Sequence, residues 1–406
     1  MLGNKRFIRS LRLENFLSFG PGSAAIELES LNVLIGPNGA GKSNLIEAIG
    51  LLAASATDLP QPIRAGGGVR EWLWKGGSTD PVAEMDATIY NPERNVPLRH
   101  KLSFTATGSR FELLDEAIEN ESPLDGYKDV FFYYRYQKGY PVISVQSLDG
   151  DGAANGIPKP RNLQREELAP DQSVISQRRD PDLYPEITYL GNSYARIKLF
   201  REWNLGRNTP ARRPQQVDAP NDFLAEDASN LALVLNRLES RHYPAYQRIT
   251  ELLAELYAPF KSIHTAIDFG TVQLFLREKH LREPIPATRL SDGTLRYLCL
   301  LAVLCHPTPP PLICIEEPEI GLHPDMLSTI ANLLIEASHR TQLIVTTHSD
   351  ILIDALSETP EAVIVCEKED GATQMRRLQP ERLKVWLKEY SLGGLWLSGE
   401  VGGNRW

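Results

Sequence analysis

The octapeptide Gly36-Pro37-Asn38-Gly39-Ala40-Gly41-Lys42-Ser43 stands between a mostly apolar run, Leu31 to Ile35, and a stretch, Lys42 to Ala53, that sets Leu45, Ile49 and Leu52 along one helical face. A short apolar run reads as a buried strand and a period near 3.6 as a helix, so the glycines must turn the chain between the two. Strand, glycine-rich loop and helix in this order fold the backbone into a nest of N–H groups at the positive end of a helix, a seat for the phosphates of a nucleoside triphosphate. In such a loop Lys42 reaches the β- and γ-phosphates and the Ser43 hydroxyl takes one Mg2+ position.

The rest of a hydrolytic site is spelled out in the second half. The strand-like run Leu312-Ile313-Cys314-Ile315 ends in Glu316-Glu317-Pro318-Glu319. Acids after a buried strand often cap a helix, but phosphoryl transfer to water needs a strand-end carboxylate on Mg2+ and a group that orients the attacking water. Glu316 suits the first task and Glu317 the second. A second strand-like run, Gln342 to Thr347, ends in His348-Ser349-Asp350, which sets His348 where it can sense the γ-phosphate. Leu290-Ser291-Asp292-Gly293 opens the apolar helix Leu295 to Leu304, and a helix start with a serine hydroxyl is a second anion site, though also an ordinary cap.

With these segments the chain resembles the ATP-binding-cassette-type ATPases of the SMC and RecF group, and more closely the RecF-like or OLD-like AAA family ATPases of bacterial phage-defence and repair operons. The resemblance makes Gly36 to Asn44 the Walker A motif, Leu290 to Gly293 the signature turn, Ile315 to Pro324 the Walker B motif with its following loop, and Thr346 to Asp350 the histidine switch. It implies an α/β fold, an ABC-type P-loop ATPase head with ATP and Mg2+ as cofactors. Gly36, Pro37, Asn38, Gly39, Ala40, Gly41, Lys42, Ser43 and Asn44 would hold the nucleotide, Ser43 and Glu316 the metal, and Glu317, His348 and Lys42 would act in catalysis. It also implies a head-to-tail homodimer or larger assembly in which Ser291 and Gly293 of one subunit close over ATP held by the other. Across such an interface a second helix N-terminus completes the cage around the γ-phosphate.

Departures narrow the reading. Glu316 stands where SMC and transporter members usually carry aspartate, a variation that OLD-like members share. LSDG in place of LSGGQ argues against a transporter subunit, no glutamine loop is recognisable in the Gly66 to Arg70 region, and SMC-like arms do not fit. OLD and Gabija-like relatives append a Toprim nuclease after the histidine switch, whereas 56 residues follow Asp350 here, so this chain is not expected to be a nuclease itself. The expected function is an ATP-hydrolysing switch in repair or anti-phage defence that gates a separately encoded nuclease or toxin. The alternatives are an ATP-dependent DNA-binding repair clamp and a scaffold assembled by ATP with little turnover.

Composition adds limits. With 406 residues and a net charge of −9, wholesale electrostatic coating of nucleic acid is excluded, and DNA contact has to be local. Residues 159–213 hold eleven Lys or Arg against seven Asp or Glu, densest at Arg178-Arg179 and Arg212-Arg213. That excess reads either as a solvated, loop-covering face or as a phosphate-tracking patch. No apolar stretch reaches the roughly 18 residues of a spanning helix, so a cytoplasmic protein with no membrane contact is expected. Cys299, Cys305, Cys314 and Cys366 lack CxxC spacing and read as packed thiols.

Three regions follow. Residues 1–148 form an ATPase lobe with a β flank, in which Phe7 to Phe16 alternates like an edge strand and Val82 to Tyr90, Leu98 to Thr105 and Val130 to Tyr136 alternate with period two. Residues 149–289 form an insertion, irregular and basic up to Pro214, then two helices broken near Tyr243-Pro244 and a strand pair around Ile263 to Glu278. Residues 290–406 complete the ATPase lobe and end in a tail rich in Trp and Gly, which either packs on its own sheet or docks a partner.

Overall fold

Leu31, Val33 and Ile35 project into one hydrophobic core and Leu34 into another, so this strand is buried on both faces. That is the environment of a parallel strand in the middle of a three-layer α/β domain. The computed structural model describes residues 6–402 apart from 78–80, 93–95, 125, 138–139, 147–157 and 165–166. Position 148, where the first region was expected to end, and the terminal Gly403 to Trp406 lie outside the described residues.

The six-stranded central sheet runs in the order Lys198–Phe200, Leu312–Glu316, Gln342–Thr346, Leu31–Ile35, Val363–Glu369, Ala372–Arg377. The first five are parallel and the last is antiparallel to its neighbour. The register pairs Glu316 with Thr346 and Thr346 with Leu34, which brings the acids, the histidine segment and the phosphate loop to one carboxyl edge. Ligands of open α/β sheets bind at that edge. The helices Leu231–Arg241, Asp292–Leu304 and Pro324–Ser338 cover the face to which Leu31 points, while Lys42–Ser55 and Pro185–Tyr194 cover the other.

An eight-stranded antiparallel sheet shares the second core, ordered Ile26–Glu27, Ile8–Glu14, Ala83–Ile89, Leu98–Thr107, Arg110–Asn120, Phe132–Gln137, Tyr140–Val145, Lys159–Asn162. The opening strand is not quite at the edge, since two residue pairs join it to Ile26–Glu27. Arg110–Asn120, the longest strand of the flank, escaped the alternation search for a physical reason. Its register against Leu98–Thr107 shifts between Ser103 and Phe104, opposite Asp115 and Leu113, and such a bulge at Leu114 breaks the period-two pattern. Gln342 ties the two sheets together, its side chain accepting from the Ile8 N–H and donating to the Ile8 and Glu29 carbonyls.

The stretch before Pro214, expected to be mostly loops, supplies the helix Pro185–Tyr194 and the sheet strand Lys198–Phe200. The two helices of the insertion, Leu231–Arg241 and Tyr243–Leu256, part at His242 and pack on a small antiparallel sheet built on Phe260–Asp268 and Thr271–Glu278. All four cysteines are buried free thiols. In the tail, Leu392, Leu395 and Trp396 are buried, and the Gly393 N–H donates to Asp354 at 2.6 Å. Val385, Trp386 and Tyr390 before them stay exposed. Among the described residues no helix is long and apolar enough to cross a membrane.

Candidate nucleotide-binding and hydrolysis site

The phosphate loop leaves the strand at Gly36 and enters the helix at Lys42, as its sequence requires. Gly41 has φ +97°, and a Cβ there would lie 2.2 Å from the Thr373 hydroxyl, so backbone strain and contact both demand glycine. Thr373 and Ser18, neither singled out by the sequence, brace the loop. The Thr373 hydroxyl donates to the Ala40 carbonyl at 3.0 Å and shares a hydrogen bond with the Ser18 hydroxyl at 2.6 Å, and Asn44 Nδ2 donates to the same Ser18 oxygen at 2.7 Å. Both come from remote segments with no motif around them.

Lys42 is buried and donates to the carbonyls of Gly36 at 2.7 Å and Pro37 at 3.1 Å, a self-held position within the loop. Burial pulls its ammonium below the usual lysine range, against the opposing charges around it, Glu317, Glu319 and Glu316 among them. The Ser43 hydroxyl donates to Glu316 Oε2 at 3.2 Å. Both side chains offer the hard oxygen donors that Mg2+ takes, so this pair would fit a magnesium ion. Among the described residues no cluster of three or more His, Cys, Asp or Glu could hold a metal.

Glu317 adopts φ +46°, rare for a side-chain-bearing residue, and its N–H donates to the Thr346 carbonyl at 3.0 Å and contacts the Thr346 hydroxyl at 3.2 Å. The turn sets Glu317 Oε1 3.8 Å from His348 Nε2. Burial lowers the His348 imidazole below its ordinary value, and the nearby Lys42 charge acts in the same sense.

Glu319, left without a role by sequence reading, anchors the histidine segment. Its Oε1 accepts from the Thr347 hydroxyl at 2.8 Å and from the His348 N–H at 2.7 Å, and its Oε2 is buried with no hydrogen-bond partner among the described residues. Glu319→Ala strands both donors and is expected to lower the unfolding free energy by about 1–3 kcal/mol in denaturant titration, with Glu319→Gln, which keeps an acceptor, recovering most of it.

Arg201 follows the edge strand Lys198–Phe200 and donates to Glu316 Oε1 and to Glu47 Oε1, both at 2.9 Å. A guanidinium on the carboxylate expected to hold Mg2+ would oppose a cation there. With about 1 kcal/mol between unit charges about 4 Å apart in water-like surroundings, Arg201→Ala is expected to tighten Mn2+ binding in the presence of an ATP analogue roughly fivefold, as read by electron paramagnetic resonance. Equal or weaker Mn2+ binding would show that Arg201 orients Glu316 rather than competing for it.

The signature turn is built apart from the loop. The Ser291 hydroxyl accepts from the Thr294 N–H at 3.1 Å and so caps Asp292–Leu304. A Cβ on Gly293 would meet the Gly321 carbonyl at 2.7 Å, and the Arg296 guanidinium donates to the Ile320 carbonyl, so the turn packs on the loop that follows the acids. Arg212, nearly fully buried, donates to the carbonyls of Leu205, Ala287 and Leu290 and pairs with Asp292. Arg178 and Arg179 likewise donate to backbone carbonyls, at Glu167, Ile175 and Ala56. Three of the four arginines at the densest points of the basic stretch therefore serve the fold.

Residues 31–354 match a family model described as "AAA domain, putative AbiEii toxin, Type IV TA system". The chain belongs to this AAA domain family. It is similar to the Old nuclease of Escherichia phage P2, 23% identical over 95% of this chain and 63% of that protein, so it spans less than two thirds of that relative. It is also 23% identical to an ATP/GTP phosphatase of Helicobacter pylori over 86% of this chain and 88% of the other. In fold it is similar to an Smc head bound to the C-winged helix domain of ScpA, with a TM-score of 0.56 and 16% identity over 93% of this chain and 99% of that one. The chain is thus a member of the AAA domain family whose fold is similar to an Smc head, with an antiparallel sheet beside the central one.

Proposed function

We propose that the chain binds and hydrolyses ATP and uses the nucleotide to join two heads, acting as a switch that gates a separately encoded effector in anti-phage defence or DNA repair. The observation that carries this reading is the convergence on one sheet edge of Lys42, the Ser43–Glu316 pair at 3.2 Å and the Glu317–His348 pair at 3.8 Å. When bound, Mg2+ would be held by Ser43 and Glu316 and would supply neutralisation of the phosphate charge. The backbone of Gly36 to Ser43 and Asn44 cradles the phosphates, and Lys42 trades its two carbonyl partners for phosphate oxygens. Glu317 orients the attacking water and takes its proton. His348, fixed through its backbone by Glu319, senses the γ-phosphate. Ser291 and Gly293 act on the nucleotide of a partner head.

The aromatic segment with Val385, Trp386 and Tyr390 exposed supports an effector contact, since such side chains anchor interfaces. Light-scattering mass of the Glu317→Gln chain with and without ATP and Mg2+ tests the switch. An ATP-dependent doubling is expected, and a mass indifferent to nucleotide would overturn dimerisation through ATP. Lys42→Ala is expected to lose ATP binding by roughly a hundredfold or more in calorimetry, because the buried ammonium contacts are charge-assisted.

A further inference from the structure

The amino-terminal edge of the central sheet, opposite the nucleotide site, carries a cavity of about 540 Å3 lined by Arg196, Lys198, Phe223, Arg237, His242 and His306, among others. Its charge is unlike that of the chain. Arg237 is paired with Asp222 at 2.8 Å, whereas Arg196 and Lys198 have no carboxylate partner among the described residues, inside a protein of net charge −9. His306 adds a donor on a mostly buried ring. The residue is 2% exposed, and its Nδ1 accepts from the Thr308 N–H at 3.3 Å, which leaves the proton on Nε2. That N–H has no hydrogen-bond partner among the described residues, although the ring lines the cavity. Burial, with His242 and Arg237 nearby, holds the imidazole down at about 4, so it stays a neutral donor at physiological pH. Phe223 meets the ring edge-on at 5.0 Å and forms an apolar wall.

We infer that this cavity is a second ligand site, for a phosphate-bearing anion of about nucleotide size, with Arg196 and Lys198 on the phosphate and the His306 N–H and the Phe223 wall on the rest of the ligand. The strand Lys198–Phe200 connects it to the hydrolytic centre. Lys198 lines the cavity, Phe200 pairs with Ile315, and the next residue, Arg201, holds Glu316, a path of three strand residues or about 10 Å. An anion drawing Lys198 toward the cavity pulls on the strand that sets Arg201 against the metal-site carboxylate. The binding half of the inference stands alone. The regulatory half rests on the ATPase reading above and names the trigger of that switch as a phosphorylated ligand.

The test is calorimetry on the full chain carrying Lys42→Ala, which removes anion binding at the phosphate loop, with inorganic phosphate and a 5′-phosphorylated hexathymidylate as probes at low salt. Saturable binding is expected, weakened roughly tenfold or more by R196E/K198E and less by R196Q/K198Q, the loss of charge-assisted contacts. Binding of phosphate assigns a free phosphorylated molecule, and binding of the oligonucleotide alone assigns a nucleic-acid strand. Affinity that survives the charge reversal, or no binding of either probe at millimolar concentration, overturns the site. In the chain with Lys42 intact, the bound probe is expected to change ATP turnover at least threefold, while R196E/K198E keeps its basal rate and loses the response. Binding without any change in turnover overturns the regulatory half. Absence of all turnover, probe or no probe, would instead count against the ATPase reading while leaving the binding result in place.

Discussion

Glu317→Gln is expected to keep ATP affinity within a few-fold of the parent chain while hydrolysing ATP roughly 10²–10⁴-fold more slowly. Glutamine has the shape of glutamate and keeps an oxygen to orient water, but it cannot take the proton. The backbone that aims the side chain, with φ +46° and its N–H on Thr346, is untouched by the change. The Ser43–Glu316 pair, proposed to hold Mg2+, and the Lys42 contacts are also left intact, so the loss is expected on turnover and not on binding. A steady-state phosphate-release assay beside nucleotide calorimetry separates the two quantities. Normal turnover would remove Glu317 from the proton path. A parallel fall in affinity would mean that its charge serves binding.

Arg212→Ala is expected to cost about 3 kcal/mol or more of stability and to abolish ATP-dependent dimerisation below the melting temperature. Arg212 is 2% exposed and its guanidinium is the donor to three carbonyls, of Leu205, Ala287 and Leu290. Orphaned buried acceptors cost about 1–3 kcal/mol each when nothing replaces the donor. Two of its partners, Leu290 and Asp292, flank Ser291, so the same change frees the turn that would close over a partner's ATP. Arg213→Ala next to it, on an exposed side chain, is the control and is expected to stay within about 0.5 kcal/mol. Equal effects of the two would contradict the anchoring role of Arg212. Intact ATP-dependent mass doubling in Arg212→Ala would detach the signature turn from that role.

The nucleotide half of the site was legible because its geometry is local. Strand, loop and helix lie within about twenty-five residues, and the acids and His348 each sit at the end of a strand that the apolar pattern marks. The flank was legible wherever alternation ran unbroken, and it was lost at Arg110–Asn120, where the bulge opposite Ser103 and Phe104 shifts the faces. The positive charge of residues 159–213 was visible as a count, but a count does not say which arginines reach solvent. Arg212 turned inward to satisfy carbonyls, and Arg196 and Lys198 stayed free of carboxylates at the sheet edge.

What the sequence determined by itself was the chemistry available, namely a phosphate loop, a hydroxyl beside a lysine, carboxylates and a histidine at strand ends, and a capped apolar helix. Hydrophobic period and glycine spacing express those features within a few residues. What only the tertiary structure decided was who stands beside whom. Ser18 and Thr373 brace the loop from segments separated by more than three hundred residues, Glu319 holds the histidine segment, and Arg201 reaches Glu316 from an edge strand of three residues. Such pairings depend on the order in which distant strands join one sheet, which local periodicity does not encode.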